Sequence, residues 1–265
     1  MASGKRWTRD ELLVALNLYH KLNFGQFHSK QPVIIDLAGK LGRTSNSVAM
    51  KLCNFASLDP ALKIRGIKGL AGASALDRTV WADFHSEPNE IIPASEELLR
   101  NLFDAPEESE LEVIPRTGIH LRRPPPGKVT EMTVNVKQRR GQEYFRDAVL
   151  NNFGGCCGIT GLSVRELLIA SHILPWKTHA AERLNLRNGL SLSRLHDAAF
   201  DRGLITFDNN LRLVLSPLLK SELTQRSIAE NFGAYESISL TFSSEGVPPD
   251  TSFLEQHRKC IFKRK

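Results

Sequence analysis

The sequence predicts an α+β protein with a helical N-terminal domain and a C-terminal domain of short strands and helices. In the first third, apolar residues recur at helical spacing behind residues that cap helices. In the second half, residues 167–173 and 189–193 have the length and pattern of buried strands, and a segment ending at Gly203 follows with helical character. The predicted divisions are a helical domain at 1–87, a linker at 88–128 and the second domain at 129–265.

Composition narrows the class of protein. The 265 residues carry a formal net charge of +6, which suits a nucleic-acid partner. The four cysteines form no C-x-x-C pair, so we predict no structural zinc. No apolar run reaches transmembrane length and no signal-peptide pattern begins the chain, so we expect a cytoplasmic protein with free thiols and no membrane partner.

Three helices are predicted near the N-terminus. Thr8 and Glu11 have the spacing of a capping box, which predicts a helix start. Pro32 suits the first turn of a second helix, which runs to Leu41 and ends at the following glycine. Thr44 or Ser45 then caps a third helix over residues 46–57.

The segment 37–51 contains L-A-x-x-L-G-R-T-x-x-S-V-x-x-K. It resembles the helix-turn-helix of Myb-like and homeodomain-like modules, whose third helix enters the major groove of DNA. Residues 1–87 carry twelve Lys and Arg against seven Asp and Glu, which favours DNA contact. The alternative is a helical bundle that binds only another protein surface. The resemblance implies DNA contacts by Arg43, Asn46, Ser47 and Lys51.

The predicted linker changes character along its length. Residues 87–112 hold nine acidic residues and one arginine, with three prolines, so we expect mostly linker and a short helix over 95–103. Residues 115–129 are basic and proline-rich, which favours a stiff spacer. A strand over 129–136 and a helix over 138–153 are predicted next.

Four motifs follow one another in the second domain. They read C-G-I-T-G at 157–161, A-S-H-I-L-P-W at 170–176, N-G-L-S-L at 188–192 and H-D-A-A-F-D-R-G-L at 196–204. This series resembles the HNH endonucleases, in particular a bacterial branch of that family, over roughly residues 138–218. The resemblance implies a ββα fold that holds one metal ion and hydrolyses DNA phosphodiester bonds.

The resemblance also implies roles for individual residues. His172 corresponds to the general base that takes a proton from the attacking water, and His196 corresponds to the helix ligand of the cation. Asn188 is one of the residues of the family motif. Its side-chain amide can hold the loop at 175–187 by forming hydrogen bonds to backbone groups that the loop leaves unpaired. That loop offers three cations for phosphate contact, Lys177, Arg183 and Arg187.

One position departs from the family pattern. Many HNH nucleases place Asp or His before the general base as a second ligand, whereas this chain has Ser171. Asp201 and Asp197 are the candidate carboxylates because both adjoin His196 in the motif. On an ideal helix they point about 140° and about 100° away from His196, so both candidates stay open. The implied cofactor is a divalent metal ion, Mg²⁺ or Mn²⁺, with Zn²⁺ or Ni²⁺ as alternatives.

These features together predict a metal-dependent DNA endonuclease, by resemblance one of bacterial restriction or phage defence. The leading alternative is a DNA-binding regulator with a degenerate nuclease core, which Ser171 favours. A nuclease of a mobile element is a third reading. DNA is the expected partner, and the sequence also allows a homodimer.

The rest of the second domain is predicted to close its core. Two strands, 204–207 and 211–215, flank a three-residue turn of Asp and Asn. A helix over 217–229, a strand over 238–242 and a final helix over 249–262 follow.

Overall fold

The structure is a computed structural model that describes residues 6–122 and 136–263. The chain divides into two compact units, Met1–Ala148 and Val149–Lys265, and the division falls inside one helix. Helices and short antiparallel hairpins are both present, as an α+β class requires. The strand expected over 129–136 lies, apart from its last residue, outside the described residues.

The first unit consists of helices and one hairpin. In chain order its elements are α1 (Arg9–Lys21), α2 (Pro32–Leu41), α3 (Ser45–Ala56), α4 (Pro60–Ile64), α5 (Ala75–Ser86), α6 (Pro88–Leu102), β1 (Glu110–Ile114), β2 (Gly118–Arg122) and the first turns of α7 (Val136–Asn152). β1 and β2 pair antiparallel, with Glu110 opposite Arg122 and Ile114 opposite Gly118.

The three predicted N-terminal helices are confirmed, and local rules explain their ends. Thr8 and Glu11 form the capping box of α1. Gly42 ends α2 in the left-handed conformation, with φ 61°, which glycine adopts without strain. The Thr44 side chain accepts the backbone N–H of Ser47 and so begins α3.

The segment expected to be an acidic linker is folded over residues 88–122. α6 begins at Pro88, not at Ser95, and Ser95 and Glu96 lie buried within it. The acidic residues are neutralised inside the unit, because Arg140 on α7 pairs with Glu97 and Glu107, both at 2.6 Å. Charge composition alone therefore misassigned this segment, since its cationic partners are distant in sequence.

A buried ion network joins α1, α6 and α7. The Lys21 ammonium lies 2.7 Å from the Glu96 carboxylate and 3.4 Å from that of Asp147, and all three side chains are at most 3% exposed. The Asn17 amide also donates to Glu96, at 2.9 Å. Burial alone would lower the pKa of Lys21, but the two carboxylates raise it above its usual value, so the lysine stays charged.

Replacing Lys21 with methionine should destabilise the protein by about 3–5 kcal/mol, because two carboxylates would remain buried without their cation. Urea unfolding of the full chain measures this change. Lys40→Met is the matched control, because Lys40 forms an exposed pair with Asp104 and its loss should cost at most about 1 kcal/mol. Equal effects of the two substitutions would contradict a structural role for the buried network.

The second unit contains the end of α7 and the remaining elements. They are β3 (Leu168–His172), β4 (Gly189–Ser193), α8 (Arg194–Asp201), β5 (Ile205–Phe207), β6 (Leu213–Leu215), α9 (Pro217–Ser221), α10 (Arg226–Asn231) and α11 (Thr251–Cys260). β3 pairs antiparallel with β4, and β5 with β6. The predicted strand–strand–helix order and the second hairpin are confirmed.

Two predicted elements of this unit differ in the structure. The helix expected over 217–229 is broken into α9 and α10, and the chain between them turns at Glu222–Gln225. The strand expected over 238–242 contributes one isolated bridge, between Ser239 and Arg212. Of the apolar residues in this segment, Leu240 is buried, at 6% exposed, whereas Ile238 is 50% exposed. The alternation that suggested a strand therefore corresponds to burial only at Leu240.

Two further findings concern the described residues only. No helix among them is both long and apolar enough to cross a membrane. Cys53, Cys156, Cys157 and Cys260 all carry free thiols, as predicted.

Candidate active site

The β3–β4 hairpin and α8 position the candidate residues. His172 is the last residue of β3 and lies opposite Gly189, the first residue of β4. Ser193 ends β4, and its hydroxyl accepts the backbone N–H of His196, so α8 starts directly from the strand. Because Ser193 pairs with Leu168, this turn from strand to helix places the start of α8 beside the start of β3.

A cavity of about 440 Å³ opens beside β3 and α8. The side chains of Ile169 and Ile173 form part of its apolar wall. The polar and aromatic lining comes from Ser171, His172, Trp176, Asp197, Asp201 and His257. The structure therefore brings together one predicted histidine and both candidate aspartates.

One hydrogen bond determines which ring nitrogen of His172 carries the proton. Its Nε2 donates to the backbone carbonyl of Arg183 at 2.9 Å, so the neutral ring carries its proton on Nε2 and a lone pair on Nδ1. Burial lowers the pKa of His172, and the bond to the Arg183 carbonyl opposes this only in part. The ring is therefore neutral near pH 7 and can accept a proton.

Asp197 and Asp201 lie one turn apart on α8 and face the same cavity. Burial raises the pKa of both carboxyls above their usual range. The Asp197 charge raises the pKa of Asp201 further, while Ser171 and Arg194 oppose the rise at Asp197. Two carboxylates that disfavour each other's ionisation are stabilised by a cation bound between them.

The Ser171 hydroxyl adjoins this pair. It is buried and makes no hydrogen bond of standard geometry among the described residues. It nevertheless lies close enough to Asp197 to lower the pKa of that carboxyl. A buried hydroxyl that still lacks a well-formed bond is costly, so this oxygen fits a site completed by another group.

The donor set fits one kind of metal better than another. Within residues 6–122 and 136–263, no three His, Cys, Asp or Glu side chains cluster closely enough to form a metal cage. Mg²⁺ typically takes one or two protein carboxylates and fills its other positions with water and substrate phosphate. Asp197 and Asp201 on an open cavity fit that pattern, whereas Zn²⁺ usually takes three or four nitrogen and sulfur ligands.

His196 is not brought to the cavity. Its ring is 2% exposed, and its Nε2 donates to the backbone carbonyl of Asn231 at 2.8 Å. Its Nδ1 accepts from the Ser193 hydroxyl at 2.8 Å, so both nitrogens are occupied. The expectation that His196 projects toward the cation therefore differs from the structure, in which it ties the start of α8 to the end of α10.

Asn188 fixes the loop that precedes it. Its side-chain oxygen accepts the backbone N–H of Leu174 at 2.8 Å. Its amide donates to the carbonyls of Leu174 at 3.3 Å and Glu182 at 3.0 Å. Asn188 therefore hydrogen-bonds the backbone of the long loop between β3 and β4, as its side-chain amide suggested. The residue is fully buried and does not line the cavity.

The three loop cations differ in their contacts. Lys177 is exposed. Arg183 donates from Nε to the Trp176 carbonyl at 2.8 Å, and its guanidinium lies 5.2 Å from the Trp176 ring centroid. Arg187 pairs with Asp250 at 3.3 Å. Only the first of these side chains projects without an observed protein contact, among the residues that the structure describes.

Two of the predicted DNA-binding residues in the first unit are engaged internally. Arg43 pairs with Glu11 at 2.7 Å and lies over the Trp7 ring, and its side chain is 6% exposed. Lys51 donates to both carboxylate oxygens of Asp77 at 2.9 Å and is buried. Both charges are neutralised by nearby acids in the structure, so a DNA contact by either side chain requires an ion pair to open.

The other two predicted contacts remain accessible. Asn46 is exposed at the start of α3, and Ser47 beside it is half-buried. The far end of α3 is covered, since the backbone N–H of Leu70 donates to the Cys53 carbonyl at 3.0 Å. The exposed positions of α3 include Asn46 in its first turn and Met50 in its middle.

Among the cavity residues that were absent from the predicted site are two with aromatic rings, Trp176 and His257. Trp176 stood in the quoted A-S-H-I-L-P-W motif, which was the available signal, and its ring lies 5.3 Å from that of His172. His257 comes from α11, and no motif near it pointed to the site.

Comparison with known proteins bears on this unit. No curated protein matches the chain. Residues 157–208 match the sequence model of the HNH endonuclease family, and this segment contains β3, β4, α8 and β5. The second unit of this chain therefore contains an HNH endonuclease domain.

Proposed function

We propose that the chain is a divalent-metal-dependent DNA endonuclease whose active centre is the cavity beside β3 and α8. The observation that carries the proposal is the grouping of His172 with Asp197 and Asp201 in one open cavity. A neutral histidine can act as the general base, and a pair of carboxylates can hold a divalent cation, in metal-assisted hydrolysis of a phosphodiester. The HNH family match supports the same reaction class.

Each residue has a distinct task in this mechanism. Nδ1 of His172 takes the proton from the attacking water, and the Arg183 carbonyl keeps the opposite nitrogen protonated. Asp197 and Asp201 would hold the cation, and the Ser171 hydroxyl lies beside Asp197. A divalent cation held there would supply positive charge to offset the charge on the scissile phosphate and the leaving oxygen. By resemblance to the family, the products carry 5′-phosphate and 3′-hydroxyl ends.

His196 and Asn188 act in this proposal by holding the site's backbone in place. His196 anchors the first turn of α8, and Asn188 anchors the loop that carries Arg183. Lys177 and Arg183 are the loop cations that we propose for phosphate contact. The setting in bacterial restriction or phage defence rests on the motif resemblance alone.

A plasmid assay tests the proposal. Supercoiled DNA incubated with the purified protein should become open-circular or linear in Mg²⁺ or Mn²⁺ and stay intact in EDTA. Zn²⁺ and Ni²⁺ should support less cleavage, because the donor set is carboxylate. If the protein shifts DNA in a gel but cleaves none with any of the four ions, the alternative of a DNA-binding regulator with a degenerate core is favoured.

We also propose that α2, Gly42 and α3 form a helix-turn-helix-like unit that contacts DNA through the first turns of α3. The tight left-handed turn at Gly42 and the exposure of Asn46 support this idea. With Arg43 and Lys51 paired internally, the contact depends on polar side chains and on the positive N-terminal end of the helix.

Asn46→Glu should weaken DNA binding by about 1–3 kcal/mol, because it removes a polar contact and sets a carboxylate against the phosphates. A gel-shift titration of the full chain, in a His172→Ala background that leaves the DNA uncut, measures the change. Asn101→Glu is the matched control, because it adds the same charge at an exposed position on α6. Equal affinities of the two variants would remove α3 from the DNA interface.

A further inference from the structure

The C-terminal helix α11 forms part of the cavity although it lies beyond the segment that matches the HNH family. That segment ends at residue 208, whereas His257 and Ile261 line the cavity from α11 and the residue after it. The wall of the active centre is therefore built partly from a region that the family match does not describe.

His257 is held rigidly at the end of α8. Its ring is 1% exposed and stacks on the Phe200 ring, with centroids 3.9 Å apart and planes 7° from parallel. Its Nε2 donates to the Phe200 carbonyl at 3.1 Å. Its Nδ1 then accepts from the Thr206 hydroxyl at 3.0 Å, so both nitrogens are used.

The Phe200 carbonyl lies in the last turn of α8 and accepts the backbone N–H of Gly203 at 2.9 Å. Asp201 is the next residue and the last of the helix. A helix end that frays would move the Asp201 carboxylate away from that of Asp197, one turn earlier. The bond from His257 opposes this movement because it ties the carbonyl immediately before Asp201 to α11, in addition to the local bond from Gly203.

Both ends of α11 are fastened to segments that surround the site. At its start, the backbone N–H of Asp250 donates to the Arg187 carbonyl at 3.0 Å. After its end, the backbone N–H of Lys263 donates to the Gly203 carbonyl at 3.0 Å. A side chain at Gly203 would meet the Ile261 carbonyl oxygen at 2.1 Å, so this approach requires glycine. α11 with its flanking residues therefore connects the loop before β4 to the turn that follows α8.

We infer that His257 is a positioning residue of the active centre, which holds the end of α8 so that Asp201 and Asp197 present a preformed pair to the cation. The inference rests on the proposed function. His257 is not a catalytic residue in this account, because its two nitrogens are committed to Phe200 and Thr206 and neither can exchange a proton with a substrate.

Calorimetric titration of the full chain with Mn²⁺, without DNA, tests the inference independently of cleavage. His257→Ala should raise the Kd for Mn²⁺ by about tenfold or more, because loss of a group that orients a metal ligand typically costs 10–100-fold in affinity. Half-maximal plasmid cleavage should shift to higher Mn²⁺ by the same factor. The rate at saturating Mn²⁺ should return to within about threefold of wild type.

A conservative variant separates positioning from bulk packing. His257→Gln keeps a donor that can reach the Phe200 carbonyl, so its Mn²⁺ Kd should lie within about threefold of wild type. Lys259→Ala is the control on the same helix, since Lys259 is exposed and should leave the Kd unchanged. If His257→Ala does not fold, Thr206→Val replaces it, because loss of the orienting hydroxyl should also raise the Kd.

The outcomes distinguish this inference from the proposed function. If wild type neither binds Mn²⁺ nor cleaves DNA, the proposed function fails, and the inference fails with it. If wild type does both and His257→Ala, or Thr206→Val in its place, retains the wild-type Kd, only the positioning role is overturned. A Kd for His257→Gln as weak as that of a folded His257→Ala would also overturn it.

Discussion

Replacing His172 with alanine should lower the rate of DNA cleavage by about 10²–10⁴-fold, the usual loss when a positioned general base is removed. The protein should still bind Mn²⁺, because His172 forms no metal cluster with the two aspartates among the described residues. It should also bind DNA and melt near the wild-type temperature. Single-turnover cleavage, calorimetry and thermal unfolding of this one variant measure the three properties.

His179→Ala is the matched control for this substitution. His179 is a second histidine on the same loop, it contacts Thr178 and Gln256, and it does not line the cavity. Its loss should leave the cleavage rate within a few-fold of wild type. Loss of Mn²⁺ binding in His172→Ala would make His172 a ligand, a large fall in melting temperature would make it a core histidine, and unchanged cleavage would remove it from the site.

Asp197→Asn and Asp201→Asn should each weaken Mn²⁺ binding by about 100-fold or more. The substitution keeps the shape of the side chain and removes the charge that a divalent cation needs, so the loss should exceed that for residues outside the coordination sphere. Calorimetric titration measures the affinity. The melting temperature should not fall, because burial raises the pKa of both carboxyls and their ionisation opposes folding.

For His196→Gln we expect the opposite result, a lower melting temperature with Mn²⁺ binding retained. This variant tests whether His196 supports the fold or holds the cation. His196 bonds to Ser193 and to the Asn231 carbonyl, so its replacement should lower the melting temperature while Mn²⁺ affinity stays within about threefold. If this variant loses Mn²⁺ binding while both aspartate variants bind as wild type does, His196 holds the cation and the ligand pair lies elsewhere.

Local structure followed from the sequence because its causes are local. Thr8, Pro32 and Ser193 begin helices, and Gly42 and Gly203 end them, through contacts within a few residues. The β3–β4 hairpin and α8 followed from alternation and helical spacing for the same reason. The family match agrees with the motifs that predicted this domain.

The candidate site was predicted less completely because several of its contacts connect distant residues. His196 was assigned to the cation by resemblance, and its bond to Asn231, 35 residues later, cannot be read from the motif. The motif relates the helical positions of Asp197 and Asp201 to that of His196 and not to one another. Their own spacing of one helical turn predicts a shared face, and the structure has that arrangement.

The same limit applies to the charged residues of the first unit. The helix-turn-helix pattern predicts that Arg43 and Lys51 contact DNA, but their internal pairing with Glu11 and Asp77 cannot be read from that pattern. The acidic residues of α6 were judged by composition, but Glu96 lies against Lys21 from α1. In each case the sign of a charge was readable from the sequence, while its partner depended on tertiary packing.

Anomalous scattering from a crystal of the protein grown in Mn²⁺ would locate the cation. We expect one strong peak in the cavity, at about 2.0–2.2 Å from a carboxylate oxygen of Asp197 and of Asp201, the distance typical of a small hard divalent cation. His172 should lie outside bonding distance, and His196 should keep its bond to Asn231. A peak at the His196 ring, or an empty cavity at saturating Mn²⁺, would show that Asp197 and Asp201 are not the ligand pair.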